Sequence, residues 1–207
     1  MNGSVKSVSD LIKGMNDAKL DGKTGESRRH LCPHPEVVTT SQLTNNTPYT
    51  VSLPTEVVVA PPALYLLQAS HEVQPPIQIS AQNCHTAACG AFTGEIAPAQ
   101  LVDAKIPWVI IGHSERRQMF GDTCEFVADK TKAAVEAGLK VILCIGETLD
   151  ERKAEKTDEV NQKQLQSVVD VLDEKAWRWV GSSSGVGLRP RQRKVAEPGM
   201  LIDVDFG

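Results

Sequence analysis

The residues with the clearest chemical potential follow one apolar run. Residues 108–111 read Trp-Val-Ile-Ile, Gly112 follows them, and His113 precedes Ser114 and Glu115. A continuous apolar run is typical of a strand buried on both faces, as in a parallel sheet, and Ser114 then starts a helical turn. An imidazole just past the carboxyl end of such a strand lies where α/β proteins keep their sites. An ordinary satisfied or exposed histidine is the alternative interpretation.

The elements around His113 are predicted from their apolar patterning. Alternation of strand, helix and strand favours an α/β protein with a parallel sheet. Thr148 and Glu151 have the spacing of a capping box before a further long helix. The buried stripe of that helix is predicted as Val160, Leu165, Val168, Val169 and Leu172. The other predicted strands are 56–60, 77–81 and 139–145, and the other predicted helices are 4–15, 63–73 and 124–138.

Two segments interrupt this pattern and set the expected domain organisation. Residues 25–54 are rich in Ser, Thr, Asn and Pro without periodicity, and residues 178–207 combine Gly-Ser repeats with a basic run. We expect one partial domain over 1–177, with 25–54 as an inserted loop and 178–207 as an unrelated, disordered tail. His30, Cys32 and His34 match no zinc template, which favours a flexible loop over a metal site.

The composition narrows the function classes. A chain of 207 residues is long enough for one domain with a full core, and its net charge of −4 gives no reason to expect nucleic acid or an anionic membrane as a partner. Neither a membrane-spanning segment nor a secretory signal is expected. Five cysteines without a Cys-x-x-Cys pair indicate reduced thiols and a cytoplasmic location. The sequence predicts no cofactor and no metal.

Four sequence blocks carry a resemblance to a known family. These are Ala-Gln-Asn-Cys at 81–84, Gly-Ala-Phe-Thr-Gly-Glu-Ile at 90–96, residues 108–117 and Leu-Cys-Ile-Gly-Glu-Thr-Leu-Asp-Glu-Arg at 143–152. In order and separation they resemble the triosephosphate isomerase family. The resemblance implies a (β/α)8 TIM barrel, here incomplete and retaining about strands two to five with their helices. It also implies interconversion of dihydroxyacetone phosphate and glyceraldehyde 3-phosphate in glycolysis and gluconeogenesis.

The resemblance also implies roles for two residues at the end of the 108–111 strand. His113 matches the neutral histidine that polarises the substrate's carbonyl oxygen, and the following helical turn disfavours positive charge on its ring. Glu115 matches a family residue that lies close to a catalytic lysine. A surface salt bridge from Glu115 to Arg116 or Arg117 is the alternative.

A long loop at 82–98 is the predicted interface. Taken alone, its length indicates a functional or interfacial loop. By resemblance it enters a neighbouring subunit and places Thr93 beside that subunit's catalytic residues, so a homodimer is implied. Gln82, Asn83 and Glu95 match the same family motif.

Several family groups are not found in the sequence. No residue matches the first strand with its lysine, the glutamate base, the mobile lid or the phosphate cradle; Glu197-Pro198 lacks the surroundings of the catalytic segment. We therefore expect an isomerase by family whose own activity is impaired, with triose phosphate as the substrate implied by family. The alternative is a non-catalytic variant, or a defective subunit that pairs with an intact isomerase.

Overall fold

The strands of the sheet lie side by side in the order in which they occur along the chain. The computed structural model describes residues 4–17, 37–38, 56–184 and 201–202. Within these ranges seven strands form one sheet in the order β1-β2-β3-β4-β5-β6-β7, and every neighbouring pair is parallel. Sequential order is the arrangement of a (β/α)8 barrel rather than of a doubly wound sheet. The predicted α/β class is confirmed.

The described sheet is wider than the four strands that the sequence predicted. Residues 37–38 lie in the predicted insertion, and the last two strands lie in the predicted tail. The segment 180–184 reads Val-Gly-Ser-Ser-Ser and shows no apolar pattern, yet it pairs with its neighbour over five residues. The boundaries at 25–54 and 177 remain a prediction. The strands are β1 Val37–Val38, β2 Glu56–Val59, β3 Ile77–Ala81, β4 Trp108–Ile111, β5 Lys140–Ile145, β6 Val180–Ser184 and β7 Leu201–Ile202.

The helices pack on one face of this sheet through apolar stripes. The Thr123 hydroxyl caps α5 by accepting a hydrogen bond from the Phe126 N–H at 3.2 Å, and Gly138 (φ +92°) follows its end, as predicted. The helices are α1 Val5–Asp17, α2 Leu66–Glu72, α3 Pro98–Asp103, α4 Ser114–Met119, α5 Cys124–Glu136, α6 Leu149–Lys153 and α7 Thr157–Val169, with 3₁₀ turns at Ala63–Tyr65 and Ala176–Trp179.

The prediction of a single long helix after Thr148 is wrong in one respect. The capping box forms, since the Thr148 N–H donates to Glu151 Oε2 at 2.7 Å. The helix then breaks at Glu155, whose φ of +59° lies in the left-handed region and separates α6 from α7. In α7, Val168 is buried as predicted, but Val169 is exposed and Gln164 is buried.

Both faces of the sheet are buried. The helix-facing side chains of β2 to β5 belong to the main core with α1, α5 and α7. The opposite face forms a second cluster of buried side chains. Burial on both faces is typical of a parallel sheet. The second cluster consists of Val58, Trp108, Ile110, Ile142 and Cys144.

Candidate active site

Polar side chains collect at one edge of the sheet. Because all described strands are parallel, their carboxyl ends lie at the same edge. Asn83 follows β3, His113 follows β4 and Glu147 follows β5. In α/β barrels this edge carries the catalytic residues. The fold therefore places His113 where the sequence predicted chemistry.

His113 is held in a defined orientation at the start of α4. It is the N-cap residue, and its Nδ1 accepts a hydrogen bond from the Glu115 N–H at 3.4 Å. A neutral imidazole that accepts at Nδ1 carries its proton on Nε2. Burial lowers the pKa of His113, and the carboxylate of Glu115, 3.6 Å from Nδ1, opposes this only in part. The ring is therefore neutral at neutral pH, and burial is the main cause of its lowered pKa.

Glu115 is close to His113 but faces solvent. Its side chain is 71% exposed, whereas that of His113 is 15% exposed. The alternative salt bridge to Arg116 or Arg117 is absent from the described residues, because Arg116 pairs with Asp122 and Arg117 turns inward. The structure thus brings His113 and Glu115 together, and the catalytic role of Glu115 remains a prediction.

A buried charged cluster beside this site escaped the sequence analysis. Lys130 of α5 is 1% exposed, and its Nζ donates to Asp122 Oδ2 at 2.8 Å and to Asn83 Oδ1 at 3.2 Å. Arg116 also binds Asp122, through Nε and Nη2 at 3.2 and 3.3 Å. We call Asn83, Arg116, Asp122 and Lys130 the interior cluster. Its one sequence signal is a lysine on the apolar stripe of α5, three residues after Val127.

The long loop separates the four residues predicted for the interface. At its base, Gln82 Nε2 donates to the Ala60 carbonyl at 3.0 Å, and Asn83 belongs to the interior cluster. At its tip, Thr93 and Glu95 are exposed on either side of Gly94, whose φ is +90°. The base is anchored to the domain and the tip projects from it. The contacts of Thr93 and Glu95 with another subunit remain a prediction.

The carboxyl end of β5 holds a second group that sequence reasoning missed. Glu147 is buried, and its Oε1 accepts hydrogen bonds from Arg152 Nε at 2.6 Å and Thr157 Oγ1 at 3.2 Å. These contacts join the strand end to α6 and α7. The signal in the sequence was a glutamate directly after the apolar run 141–145.

Two other candidate groups from the sequence are not placed by the structure. Glu197-Pro198 and the His30-Cys32-His34 group lie outside the described residues. Within the ranges that the structure does describe, no group of three His, Cys, Asp or Glu side chains could hold a metal ion. The described cysteines are free, and burial raises the pKa of the Cys84 and Cys144 thiols to about 12.

Comparison with known proteins decides the family. The family model described as triosephosphate isomerase matches residues 35–180. The chain belongs to the triosephosphate isomerase family. A triosephosphate isomerase of Aspergillus oryzae is 44% identical over 179 residues, covering 86% of this chain and 59% of the relative. One of Coprinopsis cinerea is 56% identical over 123 residues, covering 59% of this chain and 49% of the relative.

The match to the family is partial in length. This chain spans about half to three-fifths of the curated triosephosphate isomerases named above. A third relative, from Paracoccidioides lutzii, is 41% identical over 180 residues, with 87% of this chain and 60% of the relative covered. None of the helices in the described part of the chain is both long and apolar enough to cross a membrane.

Proposed function

We propose that this chain derives from an isomerase of triose phosphates in which His113 is the electrophile, and that the 207-residue chain alone has little or no activity. The carrying observation is the geometry of His113 at the end of β4. Its Nδ1 accepts the Glu115 N–H, so the proton of the neutral ring lies on Nε2. A neutral imidazole N–H can donate a hydrogen bond to a carbonyl oxygen as negative charge develops on that oxygen. The role we assign to Glu115 is to modulate the electrostatic potential at the His113 ring.

The expected loss of activity rests on groups that no residue of the sequence matches. Isomerisation also needs a base that removes a proton from carbon and a clamp on the phosphate. Loss of a base alone lowers the rate by a factor of about 10² to 10⁴. Loss of the phosphate clamp removes the remote binding energy that drives the reaction. His113 and Glu115 alone are therefore insufficient for efficient turnover.

Turnover of the purified chain tests this proposal. We expect the 207-residue protein to convert glyceraldehyde 3-phosphate no faster than buffer, with an intact triosephosphate isomerase as the positive control. An ordinary enzymatic rate that His113→Gln lowers would contradict the proposed inactivity while supporting the role of His113. An ordinary rate that His113→Gln leaves unchanged would contradict both.

A second candidate function is that of a non-catalytic subunit that pairs with an intact isomerase through the 82–98 loop. The observation that favours it is the anchored base and exposed tip of this loop, where the apolar Phe92 is 46% exposed beside Thr93. A projecting apolar tip suits insertion into a partner pocket. Homodimers of the chain would use the same loop.

Mixing experiments test the pairing. We expect native mass spectrometry of the tagged chain with an intact triosephosphate isomerase to show mixed dimers, and Phe92→Asp to remove them. Val169→Asp on α7 is the matched control, because Val169 is also 46% exposed and lies away from the loop. Absence of mixed dimers and homodimers in the unmodified chain would eliminate this candidate.

A cytoplasmic location is part of the proposal, supported by the reduced-thiol composition.

A further inference from the structure

One arginine binds the backbone at the ends of two neighbouring strands. Arg117 of α4 donates from Nε to the Gly112 carbonyl at 2.7 Å and from Nη2 to the Cys144 carbonyl of β5 at 3.2 Å. Its Nη1 lies 3.8 Å from the Cys124 sulfur at the start of α5. A planar guanidinium with a fixed fork of donors can bridge two carbonyls in this way. Arg117 therefore joins β4, β5 and α5 at the edge that carries His113.

Arg117 also contacts the peptide groups on both sides of His113. The Gly112 carbonyl belongs to the peptide unit before His113, and it accepts from the Arg117 side chain. The His113 carbonyl belongs to the peptide unit after it, and it accepts from the Arg117 backbone N–H at 3.1 Å. Because two peptide planes define the direction of the bond between Cα and Cβ, these contacts fix the direction in which the His113 side chain leaves the backbone, and the Glu115 N–H then holds its ring at Nδ1.

The backbone at Gly112 depends on this side chain for its support. Gly112 has a φ of +80°, and a Cβ there would lie 2.9 Å from both Arg117 Nη2 and the Cys144 carbonyl oxygen. Position 112 is thus restricted to glycine, a residue that by itself resists rotation poorly. The Arg117 side chain fills the space that glycine leaves and fixes the peptide that glycine would leave mobile.

The surroundings of Arg117 differ from those of a structural ion pair. Its neighbours are carbonyls and a thiol, and no carboxylate within the described ranges makes an ion pair with it. Burial lowers its pKa, and the nearby Cys124, Cys144 and Asp122 counteract this shift. A half-buried cation is normally paired with an acid, so its placement on two strand-end carbonyls needs a separate reason.

We propose that Arg117 is a positioning residue for His113, which it holds by clamping the Gly112 peptide and the end of β5. This inference rests on the electrophilic role proposed for His113, but its measurable consequence is the state of the imidazole and requires no turnover. Without the contacts of the Arg117 side chain, the hydrogen bond from the Glu115 N–H would no longer hold His113 Nδ1 in one position. The ring would then exchange between its two neutral tautomers.

Long-range ¹H–¹⁵N NMR of the His113 ring in the full chain is the test, with the resonances assigned by their loss in His113→Gln. In the unmodified chain we expect one tautomer, protonated on Nε2. In Arg117→Met the two ring nitrogen shifts should converge, and the pKa of His113 should rise towards its ordinary value as the ring becomes more exposed. Arg117→Lys, which keeps the charge without the fork, should give an intermediate result.

Arg116→Met is the matched control, because Arg116 is the adjacent arginine but binds Asp122 rather than the strand ends. We expect it to leave both His113 shifts unchanged. Unchanged shifts in a folded Arg117→Met protein, verified by circular dichroism, would overturn the proposal. If Arg117→Met does not fold, Arg117→Lys decides on the same criterion. Failure of both to fold would overturn it in favour of a purely structural role. These NMR outcomes test the role of Arg117 whether or not the chain has isomerase activity.

Discussion

Two pairs of titratable side chains at the same edge of the sheet differ sharply in their surroundings. In the interior cluster, Lys130 and Asp122 are 2.8 Å apart and their side chains are 1% and 3% exposed. In the histidine pair, His113 and Glu115 are 3.6 Å apart and their side chains are 15% and 71% exposed. The first is a sealed ion pair, and the second is a loose pair open to solvent.

This difference indicates that the two pairs have different roles: the buried pair stabilises the structure, and the exposed pair contributes little to stability. A buried ion that loses its partner is heavily penalised, so the Lys130–Asp122 contact keeps two loops and α5 in a single arrangement. An exposed pair contributes little to stability, so Glu115 does not fix the neutral His113 ring in an ion pair. The motif that identifies the family therefore contains the weaker contact, and the stronger one lies outside it.

The largest expected change in the free energy of unfolding comes from a substitution in the interior cluster. Lys130→Met leaves Asp122 buried with Arg116 as its remaining partner, so we expect the free energy of unfolding to fall by about 3 kcal/mol. Urea unfolding measures this. The control is Lys132→Met on the same helix, whose contact with Glu136 is long at 4.0 Å and exposed, with an expected change below about 0.5 kcal/mol. Equal effects of the two substitutions would remove the distinction between sealed and open pairs.

The next effect concerns the backbone beside His113. Gly112→Ala places a Cβ against the Cys144 carbonyl at a φ of +80°, and we expect a loss of about 2 kcal/mol in the free energy of unfolding. Gly14→Ala should act in the opposite direction, stabilising by about 0.5 to 1 kcal/mol, because Gly14 is helical with open space around it. Thermal unfolding of both variants checks the signs. A neutral Gly112→Ala would show that the strand end tolerates displacement.

A smaller effect appears in the pH dependence of the interior cluster. Burial raises the pKa of Asp122, but hydrogen bonds and charges from Arg116 and Lys130 outweigh it and hold the pKa below its ordinary value of 3.8. A carboxyl with a lower pKa in the folded state contributes stability above its unfolded pKa, and this is lost as the pH falls through the folded value.

We therefore expect the stability advantage of the unmodified chain over Asp122→Asn to be full near about pH 6 and to shrink below about pH 4. Urea midpoints measured across this range provide the test. An advantage that is independent of pH would mean that the charge of Asp122 does not hold the cluster together.

The smallest effect concerns the histidine pair. Glu115→Gln removes the charge that raises the pKa of His113, so this pKa should fall further below its ordinary value. The NMR titration of His113 measures it, and the difference should diminish at high salt because Glu115 is exposed. Glu159→Gln on the exposed side of α7 is the control and should leave the titration unchanged. A rise in the pKa of His113 in Glu115→Gln would contradict this account of the pair.

Local patterns predicted the regular elements where the apolar signal was strong. The runs that became β4 and β5, the glycine after α5 and the capping box at Thr148 and Glu151 all form as expected. The pattern failed at Glu155, where the chain turns without Gly or Pro, and at Val180–Ser184, a strand formed by pairing rather than by apolar side chains. Hydrogen bonding to a neighbouring strand is a tertiary effect that residue types do not reveal.

The amino-acid sequence by itself determined the family and the residue at the end of β4, because a buried strand, a glycine and a helix start place His113 by local geometry alone. Only the tertiary structure decided which charged side chains are buried and which groups they contact. Lys130 meets Asn83 from 47 residues away, and Arg117 meets the Cys144 carbonyl from 27 residues away. Burial and distance of this kind depend on neighbours brought together by folding, and they set the pKa of a group and the cost of removing it.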